Sequence, residues 1–101
     1  MEDINVVQLK EKMDAGEDFY FIDVRETYEY AEDNLGAVNI PLGDIPSKIQ
    51  ELKDMNANEI IIHCRSGARS GTAKQFLVQA GLKNVRNVLG GILDYREKNG
   101  K

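Results

Sequence analysis

The 101-residue chain has one cysteine, one histidine and two prolines. A single cysteine closes no internal disulfide, which fits a reducing compartment, expected to be the cytoplasm, and leaves a thiol free for chemistry. One cysteine beside one histidine cannot complete a zinc site, so neither metal nor cofactor is called for. The prolines, Pro41 and Pro46, bracket one turn region and mark no domain boundary. Apolar runs are short, well below the roughly 18 residues of a membrane span. The opening stretch MEDINVVQLKEKMD lacks the basic start and apolar centre of a signal peptide. Basic surplus is missing too: 13 Lys and Arg against 17 Asp and Glu give a net charge of −4. That balance argues against a general nucleic-acid partner, because phosphate backbones demand a basic surface. Repeats, low-complexity tracts and coiled-coil heptads are absent, and a monomer is the default at this size.

What is present suffices for a core. Hydrophobic residues make up 42% of the chain, and its length suits one compact domain over residues 1–101. Val6, Leu9 and Met13 share one helical face, with Asn5 and Gln8 placed as a capping box and Gly16 as a stop. FYFIDV, residues 19–24, reads as a buried strand. ETYEYAEDN is polar, helical or irregular. GAVNIPL holds a short strand ended by Pro41. Ile45, Ile49 and Leu52 line a second helical face, with Asp44 near its start. EIIIHC is apolar without alternation, as in a central parallel strand covered on both faces. Ala73, Phe76, Leu77 and Ala80 recur at helical spacing before Gly81, NVRNVL is a last short strand, and GGILDYREKNG turns into a final helix. Strands alternating with helices predict an α/β domain whose ligands bind beyond the carboxyl ends of the strands.

The end of the most buried strand is Cys64, in HCRSGARS. The loop runs from that strand into a helix. Gly67 permits a tight bend whose N–H groups turn inward as an anion nest, and the helix adds its N-terminal dipole. Arg65 and Arg69 add charge, with no acid between them. All three effects favour thiolate, and cysteines so placed titrate at about 3.5–7.5; Cys64 is expected toward the lower part of that range, as a nucleophile. A lone cysteine is more often a small buried hydrophobe. Its position at a strand end, before Arg-Ser-Gly and a second arginine, reverses those odds. His63 points to the opposite face of the strand and reads as a packed residue rather than a base. No GxSxG elbow marks a serine hydrolase.

Four segments in order resemble the rhodanese-like domains: FIDVRETYEY, LGAVNIPL, CRSGARS and NVLGGILDY, covering Phe19 to about Tyr95. The resemblance implies a three-layer α/β fold with a mostly parallel central sheet of about five strands and helices on both faces. It implies a sulfurtransferase of the thiosulfate type. Cys64 takes a sulfane sulfur from thiosulfate or a persulfide, holds it as a persulfide, and passes it to a thiol, cyanide or a protein acceptor. The backbone N–H groups of Arg65, Ser66, Gly67, Ala68, Arg69 and Ser70 would surround that sulfur, and Arg65 and Arg69 would hold the anionic donor. Chemistry supports this, because sulfur transfer needs a thiolate and forms an anionic persulfide, both stabilised by convergent N–H donors. No general acid is needed when sulfite leaves as a stable anion. Asp23 and Arg25 are expected to be structural, Arg25 in an internal ion pair. One departure is Asp33, which stands where the family often has histidine; it is expected to alter local packing rather than chemistry.

Two alternatives come from other classes. HCRSGARS looks like a cysteine-phosphatase or arsenate-reductase loop, which spaces cysteine and arginine by five residues. Here four residues separate Cys64 from Arg69. The shorter loop suits one sulfur atom better than a tetrahedral phosphate, and no acid is marked to protonate a leaving alcohol. A non-catalytic interaction module is the third reading, weakened by the presence of Cys64 in a complete loop.

Overall fold

The computed structural model describes residues 1–100. Strands β1 (Tyr20–Asp23), β2 (Val38–Asn39), β3 (Ile60–His63) and β4 (Val85–Asn87) form a parallel sheet in the order β2-β1-β3-β4. The helices are α1 (Val6–Asp14), α2 (Thr27–Glu32), α3 (Ile45–Met55), α4 (Ala68–Gln79) and α5 (Gly91–Asn99), with a 3-10 turn at Leu42–Asp44. About five strands were expected and four form. The N-terminal segment adds a single parallel bridge, Ile4 to Val88, because Asn5 already caps α1 and no residue is left to lengthen a strand. Among the described residues no helix is long and apolar enough to cross a membrane.

Helices cover both faces. Strand β3 is buried along its whole length and alternates between two cores. Ile60, Ile62 and Cys64 join Ile22, Ile45, Leu52, Ala73 and Leu77 on the face covered by α3 and α4. Ile61 joins Val6, Leu9, Val88 and Tyr95 under α1 and α5. Fully burying each such aliphatic side chain contributes about 1.5–3 kcal/mol, which is why an unalternated apolar run is stable here as a central strand. The Asn5–Gln8 capping box forms, with Gln8 N–H donating to Asn5 Oδ1 at 2.8 Å and Asn5 N–H to Gln8 Oε1 at 2.9 Å. Phe76 departs from its expected core position and is exposed, while Ala73 and Leu77 are buried. It precedes Leu77 by one residue, about 100° round the helix, and so lies off the face that Ala73 and Leu77 press on the sheet.

The strand order places the site. The chain leaves β1 toward β2 on one side, then returns to lay β3 on the other. The carboxyl ends of β1 and β3 therefore flank the topological switch point, where open α/β sheets bind ligands. Asp23 and His63, paired in register, close those two strands, and Cys64 follows directly.

Candidate active site

The segment after β3 turns back on itself within three residues. Gly67 sits at φ 106, the N-cap of α4, a conformation that favours glycine. This bend brings the Gly67 N–H to 3.1 Å from Cys64 Sγ, which it donates to. Ser70, one turn into α4 and fully buried, sets its hydroxyl 3.3 Å from the same sulfur. Burial of Cys64 pushes its thiol up. The Ser70 hydroxyl and the backbone N–H groups of Ser70, Gly67 and Ser66 outweigh that and hold it below its ordinary value. The direction matches the expectation from sequence, but the leading cause is hydrogen bonding, not guanidinium charge.

The Ser70 hydroxyl has one proton and three acceptors within reach: Asn87 Oδ1 at 2.5 Å, Cys64 Sγ at 3.3 Å and the Gly67 carbonyl at 3.3 Å. Distance favours Asn87 when Cys64 is a thiol, and charge favours Sγ when it is a thiolate, since hydrogen bonds to ions are about twice as strong. Asn87 Nδ2 donates to the Gly67 carbonyl at 3.1 Å, which fixes its amide so that Oδ1 faces Ser70. Its own N–H donates to Asp3 at 2.9 Å. Asn87 thus ties β4 to the Gly67 bend and to the first turn of α4.

The carbonyls of the loop are satisfied from the other side. Ile92 N–H donates to the Cys64 carbonyl at 3.0 Å and Leu93 N–H to that of Arg65 at 3.2 Å. With its carbonyls engaged by the first turn of α5, the peptide chain after Cys64 presents N–H groups to the sulfur. Gly90 and Gly91 make this docking possible, both at positive φ.

The charged residues divide into paired and unpaired. Arg69 makes a bidentate pair with Glu29 of α2, Nη1 to Oε1 at 2.7 Å and Nη2 to Oε2 at 3.0 Å. The Arg69 guanidinium holds the Glu29 carboxyl down at about 2. Arg65 is exposed, as are Ser66 and Ala68, and among the described residues Arg65 makes no ion pair. Arg25 is buried against Asp23, with Nη2 to Oδ2 at 2.8 Å, and also donates to the Asp33 carbonyl at 2.7 Å. The internal ion pair expected from DVR is therefore present. His63 is fully buried, 5.1 Å from the Phe21 ring centroid, with Nδ1 3.2 Å from the Cys64 carbonyl and Nε2 3.5 Å from Asp23. Burial lowers its pKa against the opposing charge of Asp23, and its ring lies against Phe21, on the face of β3 opposite Cys64.

Three contributors were not singled out from sequence. Asn87 carried a signal, a polar residue inside an apolar strand segment. Gly91 was read as a turn, whereas its lack of a side chain is needed for contact with the loop. Glu29 carried none: 40 residues separate it from Arg69, and nothing in α2 marks one acid among several. Neither Asp23 nor Glu29 is poised as a general acid: both carboxylates are engaged by arginine, and Glu29 is held at about 2, far below a working proton donor. Among the described residues no cluster of His, Cys, Asp and Glu could hold a metal.

Residues 5–98 match the model of the rhodanese-like domain. The Bacillus subtilis protein named "Putative sulfurtransferase YtwF" is 44% identical over 95 residues, covering 92% of this chain and 88% of that one. "Thiosulfate sulfurtransferase PspE" of Escherichia coli is 33% identical over 76 residues, covering 74% of this chain and 72% of that one. The crystal structure of SSP1007 from Staphylococcus saprophyticus superposes with a TM-score of 0.85 at 35% identity, covering 97% and 96% of the two chains. The chain belongs to the rhodanese-like domain family.

Proposed function

We propose that this rhodanese-like domain is a sulfurtransferase that carries sulfane sulfur as a persulfide on Cys64. The observation that carries the reading is the donor arrangement around one sulfur: the Gly67 N–H at 3.1 Å and the Ser70 hydroxyl at 3.3 Å, at the head of α4. The Cys64 thiolate attacks the outer sulfur of the donor. A sulfur–sulfur bond forms on Cys64, the donor's own bond to that sulfur breaks, and the electron pair leaves with sulfite or a thiolate. The anionic persulfide then faces N–H donors already oriented by their hydrogen-bonded carbonyls, so stabilisation costs little reorganisation. An acceptor thiol, cyanide or protein nucleophile attacks the terminal sulfur and restores the thiolate.

Arg65, Ser66, Gly67, Ala68, Arg69 and Ser70 line this step as one domain's loop, with Arg65 the residue that meets an anionic donor. The names of the relatives, sulfurtransferase and thiosulfate sulfurtransferase, support the class. The lone cysteine supports a reducing compartment such as the cytoplasm.

Incubation with thiosulfate followed by intact mass measurement tests the reading. A gain of one sulfur atom, removed by cyanide and absent in Cys64→Ala, is expected. No adduct with thiosulfate or with a small-thiol persulfide overturns it, and hydrolysis of an aryl phosphate in its place assigns a phosphatase.

A further inference from the structure

The loop after Cys64 carries two arginines, but their charges are not equally available. Arg69 is locked to Glu29 through two hydrogen bonds, and the pair is neutral at every working pH because Glu29 titrates at about 2. Arg69 directly precedes Ser70, whose hydroxyl lies 3.3 Å from Cys64 Sγ, so the charge left on Arg69 bears on the potential around the sulfur. Arg65 is the remaining cation. It opens on a cleft of about 180 Å³ whose other charges are largely spoken for, Asp33 by Arg96 and Arg25 by Asp23. Glu32 lines the same cleft and, among the described residues, has no ion-pair partner. This cleft, beside the loop that follows Cys64, therefore offers one uncompensated cation with an acid nearby.

We propose that Glu29 is a specificity-determining residue: by cancelling Arg69 it tunes the site to singly charged sulfane-sulfur donors, such as small-thiol persulfides and thiosulfonates, over doubly charged thiosulfate. This rests on sulfur transfer at Cys64 and names its donor class. Both donors react by the same balanced step. The thiolate attacks the outer sulfur, its bond to the sulfonyl sulfur breaks, and the electron pair leaves as sulfite from thiosulfate or as methanesulfinate from methanethiosulfonate. The donors differ by one negative charge, so the ratio of their rates reads the potential while geometry and nucleophile cancel.

Glu29→Gln keeps an oxygen for Arg69 and removes the charge. The ratio of kcat/KM for thiosulfate to that for methanethiosulfonate should rise by about tenfold, the effect of one freed charge several ångströms away at an effective dielectric between protein and water. Alkylation of Cys64 gives a readout independent of sulfur transfer: the rate ratio of anionic iodoacetate to neutral iodoacetamide should rise in Glu29→Gln and fall in Arg69→Gln, which leaves Glu29 unpaired. Unchanged alkylation ratios, or equal losses with both sulfur donors, overturn the proposal and leave Glu29 a structural clasp. If Glu29→Gln fails to fold by circular dichroism, the Arg69→Gln ratio decides. A wild-type protein that takes sulfur from neither donor refutes sulfur transfer instead, and the alkylation ratios still judge the charge argument.

Discussion

The carbonyl oxygen of Arg65 lies 2.4 Å from the point where a side chain on Gly91 would begin, and the Cys64 carbonyl oxygen lies 2.6 Å from it. The loop that holds the sulfur is packed backbone against backbone on α5, and the absence of one methyl group makes that possible. Gly91→Ala should destabilise the domain by about 2–4 kcal/mol, combining a left-handed backbone at φ 59 with a clash that no side-chain rotation relieves. Urea unfolding checks this. Gly43, with open space around its position, is the control, and Gly43→Ala should stay within about 0.5 kcal/mol.

Removing the Ser70 hydroxyl deletes a side-chain donor to Cys64 and leaves Asn87 Oδ1 without its partner. Ser70→Ala should move the pH midpoint of iodoacetamide alkylation upward and slow the reaction several-fold at neutral pH. A midpoint at or below that of wild type would show that backbone N–H groups alone hold the thiolate.

His63 gives the fold an acid-sensitive term. Its folded pKa is lowered below 6.5 by burial, so below that pH the unfolded chain binds the extra proton more readily. The contribution is present above pH 6.5 and is lost as pH falls beneath it. In His63→Phe, which has nothing to protonate, stability measured by urea unfolding should fall less between pH 7 and 5.5 than in the wild type. Parallel curves would contradict the assignment.

Asp33 makes a bidentate contact with Arg96, Nε to Oδ2 at 3.0 Å and Nη2 to Oδ1 at 2.7 Å, on a side chain that is half exposed. It ties α5 to the end of α2, a helix with no buried residues. Asp33→His should cost up to about 1 kcal/mol and leave turnover within about twofold, as for an exposed ion pair that makes no contact with the sulfur. A large loss of turnover at unchanged stability would place residue 33 in the chemistry.

Much of this was legible in the chain itself. Periodicity gave the helices, because one buried face per helix is a local requirement, and the short unalternated run EIIIHC read as a covered central strand, which β3 is. The number of residues between Cys64 and Arg69, with Gly67 between them, limits the size of the loop. The partners of that loop were decided only by the fold. Whether Arg69 carries a free charge depends on Glu29, whether the Ser70 proton reaches sulfur depends on Asn87, and whether the loop carbonyls turn outward depends on Gly91. Each is a contact between segments far apart in the chain. Its energy comes from the distance and desolvation of two particular groups, which a linear pattern of residue types does not contain.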